Sequence, residues 1–226
     1  MLLFGNYYVN LYFPFLLSFD KKVAFNKKWP QAFAAIFITS LLYITWDILF
    51  VDNGIWGFNS MYITGLHFFN LPLEEILFFV AVPFASLFTF EVFNTYLTKL
   101  YLLNRYMVLL TRAIFVALIV LAMVSYNLMY SFTATLFASI VLLLLYVFAR
   151  KWLACFMLTF AVLFIGFMLV NGALTGGFTK QPVVWYNPNH IWGIRLATIP
   201  LEDIIYSLSL FGSNVLLYTR FNQKPV

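Results

Sequence analysis

Two stretches set paired acids at the head of apolar runs. Asn70-Leu71-Pro72-Leu73-Glu74-Glu75-Ile76-Leu77-Phe78 recurs 128 residues later as Thr198-Ile199-Pro200-Leu201-Glu202-Asp203-Ile204-Ile205-Tyr206, and four of the eight acidic residues lie in these copies. Acids are costly in an apolar setting, so a duplicated pair points to a site. Glu74 and Phe78 are four residues apart and share a helix face, as do Glu202 and Tyr206. Each copy would then hold an aromatic ring beneath an acid. A carboxyl can deliver a proton, and a ring face can stabilise a cation. Removal from water favours a neutral carboxyl, so one acid of a pair can keep its proton while its neighbour stays ionised. That combination suits acid-initiated chemistry on an alkene, with Glu74, Glu75, Glu202 and Asp203 as candidate catalytic groups. The plainer alternative is that they are helix-start acids favoured by the helix dipole. In a chain with 28 Phe, aromatic spacing can also be packing alone.

Other polar residues add to the candidate set. Asp47, next to Trp46, is either a site member or a boundary acid. Arg195, five residues before Pro200, is placed to pair with Glu202 or Asp203. Trp56, Trp185 and Trp192 fit an interfacial aromatic belt. Asp47, Trp56, Phe78, Trp185, Arg195 and Tyr206 are the candidate substrate-binding or cation-stabilising residues. His67 reads as an interface histidine, and Glu91, at the far end of its run, as a topological charge. No Gly-rich nucleotide fingerprint appears, and the histidines lack metal-ligand spacing with the acids. We therefore expect no cofactor and no metal. Cys155, the single cysteine, rules out an internal disulfide.

The elements that position these residues are read from composition. The chain is 64% hydrophobic and 9% charged, with mean hydropathy +0.93. A soluble domain of this length would carry far more charge, so the fold class is all-α and polytopic in a membrane. Seven spans are predicted, at 3–19, 31–50, 70–90, 106–127, 132–149, 153–171 and 199–219, of which the first is short for a bilayer. Asn6 and Asn10 make the first the weakest. It lacks the basic start and the cleavage site of a signal peptide and reads as a retained span. Asn70 and Thr198 are predicted helix N-caps, each ahead of a Pro tolerated in the first turn. Spans three and seven are expected to be apolar below that turn.

Ten bases, Lys21, Lys22, Lys27, Lys28, Lys99, Arg105, Arg150, Lys151, Arg220 and Lys224, lie in the first, third and fifth connectors and the C-terminal tail. The other connectors hold Lys180 and Arg195, and Arg112 can snorkel from the fourth span. The positive-inside rule then puts the N-terminus outside and the C-terminus in the cytoplasm. The net charge of +5 is spread between apolar runs, which argues against nucleic-acid binding. Phe19-Asp20-Lys21-Lys22 aligns with Phe148-Ala149-Arg150-Lys151 at an offset of 129, as does Trp56-Gly57-Phe58 with Trp185-Tyr186-Asn187. Two parallel three-span repeats follow, 1–98 and 131–226, joined by a linking span in 99–130. The match fails through spans two and six, which leaves Asp47 without a counterpart.

With Trp46-Asp47, Trp56-Gly57-Phe58-Asn59, Pro182-Val183-Val184-Trp185-Tyr186-Asn187 and the two Pro-Leu-Glu-acid motifs, the chain resembles the membrane-integral lycopene cyclases over essentially its whole length. It looks like the fused form of the type otherwise built from two three-span subunits, without the phytoene synthase domain of some fungal relatives. The resemblance implies an isomerase (an intramolecular lyase) that closes the ends of lycopene, or of other linear carotenoids, into rings. Gamma-carotene and then beta-carotene would form by alkene protonation, ring closure and proton loss. It further implies a multi-pass protein of a bacterial or archaeal inner membrane, in contact with lipid and with other carotenoid-pathway enzymes as possible partners. Glu74 and Glu202 would be the lead acids, with Glu75 and Asp203 as partners. Two other classes are a proton-coupled carrier and a carotenoid- or retinal-binding protein without catalysis. The seventh span has no lysine for a retinal Schiff base.

Overall fold

A computed structural model describes residues 11–222. Residues 11–17 are helical; the earlier part of the first expected span, with Asn6 and Asn10, lies outside the described residues. Six long helices follow: α1 (Trp29–Asp52), α2 (Leu73–Tyr96), α3 (Asn104–Val124), α4 (Met129–Phe148), α5 (Leu153–Leu174) and α6 (Leu201–Phe221). They correspond to the predicted spans two to seven. Helices α1 to α5 are long and apolar enough to cross a membrane.

Helix α6 departs from expectation. It is not apolar below its first turn: Ser209, Asn214, Tyr218 and Thr219 are buried along it. It packs against α1, α2, α4 and α5, so its polar groups bond within the bundle and need no lipid-compatible face. Tyr43 donates to Ser209 Oγ at 2.8 Å, and Tyr218 donates to Glu91 at 2.6 Å. A polar buried helix would also suit a carrier, so helix polarity does not separate the two readings. Glu91, expected to be a topological charge, is buried and ion-paired with Lys28 at the end of the bundle away from the acidic motifs.

Helix α2 contains Pro83, which cannot donate to the Phe79 carbonyl one turn earlier. Ser40 of α1 supplies that bond at 2.9 Å, tying the two helices together at the interruption. Aromatic and branched side chains fill the centre, among them Phe84 and Leu87 of α2, Leu142 of α4, Phe156 of α5 and Val215 of α6.

Short strands cover the acidic end. β1 (Trp56–Phe58) pairs antiparallel with β4 (Val184–Tyr186), Gly57 facing Trp185 at the centre. β2 (His67–Phe68) and β3 (Leu71–Pro72) form one hairpin; β5 (Arg195–Leu196) and β6 (Ile199–Pro200) form the other. The hairpins are copies. Phe69 and Ala197 have φ of 54° and 55°, and Gly65 and Gly193 have φ of 82° and 74°. Each pair is 128 residues apart. The β1–β4 ladder, centred on Gly57 and Trp185, has the same offset. It equates Trp56 with Val184, which corrects the 129-residue alignment of Trp56 with Trp185. Gly57 has a packing role: a Cβ there would sit 2.6 Å from the Trp185 ring.

The expected N-caps are also corrected. Asn70 donates its side-chain amide to the Ile48 carbonyl of α1 at 2.8 Å, and Thr198 reaches the Gly172 carbonyl of α5 at 3.3 Å. Both residues pin a hairpin to the preceding helix, and Pro72 and Pro200 stand directly before α2 and α6.

Candidate active site

The acids of each motif diverge in their surroundings. Glu74 Oε1 accepts the Thr64 backbone N–H at 2.7 Å. Glu202 Oε1 accepts the Trp192 N–H at 2.7 Å and the Ser131 hydroxyl at 2.6 Å. Thr64 and Trp192 stand at equivalent places ahead of the hairpins. Both glutamates therefore fasten a loop to the first turn of a helix, where the dipole also favours them. The second oxygen of each is buried without a partner among the described residues.

Their neighbours face inward. Glu75 and Asp203 line one cavity of about 80 Å³, together with Asp47 from the C-terminal part of α1. Three carboxyl groups, two from the first repeat and one from the second, thus meet in one place. Asp203 is held by three donors: Tyr130 at 2.8 Å, Asn171 at 2.8 Å and Tyr186 at 2.5 Å. Asp47 accepts from Tyr206 at 2.9 Å. Glu75 has no hydrogen-bond partner among the described residues and is oriented by its place on α2 alone. Tyr186, in the loop, has its hydroxyl drawn out of water beside the Asp203 carboxylate; both effects hold it well above the usual phenol range, so it stays a donor at neutral pH.

Phe78, Tyr206 and Trp56 also line this cavity. Trp185 does not. Its ring lies over Gly57 and is 43% exposed. Arg195, expected to pair with Glu202 or Asp203, donates instead to the Thr198 carbonyl within its own hairpin. Its guanidinium sits 5.6 Å from the centre of the Tyr186 ring. His67 occupies the equivalent hairpin position and contacts the Gly65 carbonyl.

Tyr130, Asn171 and Tyr186 were not singled out from the sequence. Tyr186 was legible, since it sits in the quoted Trp185-Tyr186-Asn187 and the 128-residue register equates it with Phe58. Asn171 was hidden by a change of register. α1 and α5 open at Trp29 and Leu153, 124 residues apart. Ile48 and Gly172, the carbonyls that receive Asn70 and Thr198, keep that interval. It equates Asp47 with Asn171, the counterpart the sequence comparison lacked. Tyr130 lies in the second turn-bounded helix of a tight pair, with no local feature to mark it.

The cavity adjoins an apolar groove of about 170 Å³ between α2 and α5, floored by α6. Phe78, Asn171, Ser207 and Leu210 line both spaces. Carboxyls, phenol donors and ring faces at the head of a hydrocarbon-lined groove can move protons to and from an apolar chain. The comparison with known families then decides between carrier and enzyme. The lycopene cyclase family model matches residues 4–93 and 127–221.

The chain belongs to the lycopene cyclase family.

Each matched stretch holds one copy of the acidic motif, and α3 lies between them. A lycopene cyclase acts in carotenoid cyclisation, and the long apolar helices fit a multi-pass membrane protein. No curated protein and no solved structure matches the chain.

Proposed function

We propose that the protein is a lycopene beta-cyclase that closes the ends of lycopene to give gamma-carotene and then beta-carotene. One observation carries this reading: Glu75, Asp203 and Asp47 face a single cavity at the head of the hydrocarbon-lined groove. One carboxyl acid gives its proton to the terminal alkene. The chain folds into a six-membered ring as a carbon–carbon bond forms and leaves a tertiary cation. A second, ionised carboxylate takes the proton released from the adjoining carbon. Atoms and electrons are conserved, so the step is an isomerisation of the intramolecular-lyase class.

Phe78, Tyr206 and Trp56 present ring faces to the cationic intermediate. Tyr130, Asn171 and Tyr186 hold Asp203 in position and stabilise its charge. Glu74 and Glu202 act through the loops that close the cavity, with Trp185 and Arg195 packing that cover from outside. The repeats occupy 1–98 and 131–226 with a linking span between, the N-terminus outside a bacterial or archaeal inner membrane. The basic residues clustered at the end away from the acids support that orientation.

The test is expression in cells that accumulate lycopene, with pigments separated by chromatography. Gamma- and beta-carotene are expected. Unchanged lycopene, with the protein shown to be inserted, would refute the reading.

A further inference from the structure

The repeats that build the acid cavity are not alike where a substrate chain would lie. The 124-residue register between α1 and α5 equates Phe167 with Tyr43, Val170 with Trp46 and Gly166 with Leu42. The 128-residue register equates Phe78 with Tyr206. The open groove lies between α2 and α5; its counterpart is the seam between α6 and α1.

In the open groove, Val170 and Phe167 line free space. A Cβ added at Gly166 would meet nothing within 4 Å. From Asp203 to Asn214 the floor on α6 runs for about 16 Å at 1.5 Å per residue. In the counterpart seam the larger residues fill the same place. The Tyr43 and Tyr206 ring centres are 5.1 Å apart, and Trp46 lies 5.3 Å from Tyr206 and 5.3 Å from Phe137 of α4. Tyr43 is fully buried. Close aromatic packing of this kind leaves no path for a polyene.

We propose that the acid cavity is served by a single polyene groove, between α2 and α5, so that the enzyme takes one end of a linear carotenoid at a time. The half-finished, monocyclic product must leave and return with its other end inward before the second ring can close. This rests on the carotenoid-cyclising function proposed above. Each closure moves one proton in and one proton out at the same cavity and needs no second site. The occupant is fixed by continuity: the groove shares Phe78, Asn171, Ser207 and Leu210 with the acid cavity and is lined mainly by hydrocarbon.

The test has two arms. In the first, the purified chain carrying Glu75→Gln is titrated with lycopene in detergent, and bound polyene is read by its visible absorption. One polyene per chain is expected. Val170→Trp, which transplants the closed seam into the open groove, should weaken binding at least tenfold. Gly166→Leu, which copies Leu42 and favours the helix, should weaken it less and decides the matter if Val170→Trp does not fold. Two polyenes per chain, or unchanged binding in the folded variants, would overturn the proposal. In the second arm, isotopically labelled lycopene is given to the unmodified chain, and excess unlabelled lycopene follows. Labelled monocyclic product should accumulate, with labelled dicyclic product falling in proportion to the dilution; undiminished labelled dicyclic product would overturn it. One bound polyene with no ring formation by the unmodified chain would overturn the catalytic reading while supporting the single groove.

Discussion

Glu74 and Glu75 are neighbours in sequence with opposite surroundings, and so are Glu202 and Asp203. A helix turns by about 100° per residue, so adjacent side chains cannot share a face. The first of each pair accepts backbone N–H groups and the second meets the cavity. Glu75→Gln and Asp203→Asn should each lower cyclisation by about 100-fold or more, the scale of a lost general acid or base, with insertion intact. Glu74→Gln keeps an acceptor for Thr64 and should retain most activity. Glu74→Ala should lower stability by about 1–3 kcal/mol through the unpaired N–H, read as a drop in thermal midpoint. Tyr130→Phe removes one of three donors to Asp203 and should slow turnover by about tenfold, a charged hydrogen bond being worth about 1.5–3 kcal/mol at most. The sequence marked all four motif acids but ranked Glu74 and Glu202 first, because spacing to Phe78 and Tyr206 was legible and the Thr64 and Trp192 amides were not. Long-range partners such as Asn171 carry no local signature.

At the scale of elements, the hairpins before α2 and α6 do more than connect. Each tucks under its own helix start and is pinned to the preceding helix, through Asn70 to Ile48 and Thr198 to Gly172. The β1–β4 pair then joins the two repeats over the cavity. Gly57→Val would drive a side chain into the Trp185 ring, and overpacking of this kind costs about 1–3 kcal/mol. The expected outcome is a lower thermal midpoint and reduced cyclisation, with lycopene accumulating in the pigment assay. The helices were readable from apolar runs, and their predicted ends fall close to the observed ones. The strands were not, because two- and three-residue strands leave no periodicity. α6 misled in another way. It was expected to be apolar below its first turn, whereas neighbours on several sides allow it to carry Ser209, Asn214 and Tyr218 in the interior.

For the whole molecule, the repeat is what creates the site. Asp47 and Glu75 come from one half, Asp203 and Tyr206 from the other, so neither half alone holds a complete cavity. Segments 1–98 and 99–226 should each be inactive when produced alone and should restore cyclic carotenoid when produced together. The duplication was visible in the sequence through the acidic motifs, while the shifts between registers of 128 and 124 residues concealed how the middle helices correspond. The central claim is that carboxyl groups shared between the repeats add a proton to the hydrocarbon and remove another. It is tested most directly by giving lycopene to purified protein equilibrated in deuterated water and measuring the product by mass spectrometry in the first turnover. The account predicts one solvent deuterium in each new ring, with no reductant or oxidant consumed, and loss of product in Glu75→Gln. Cyclic product without solvent deuterium, or undiminished product from Glu75→Gln, would contradict it.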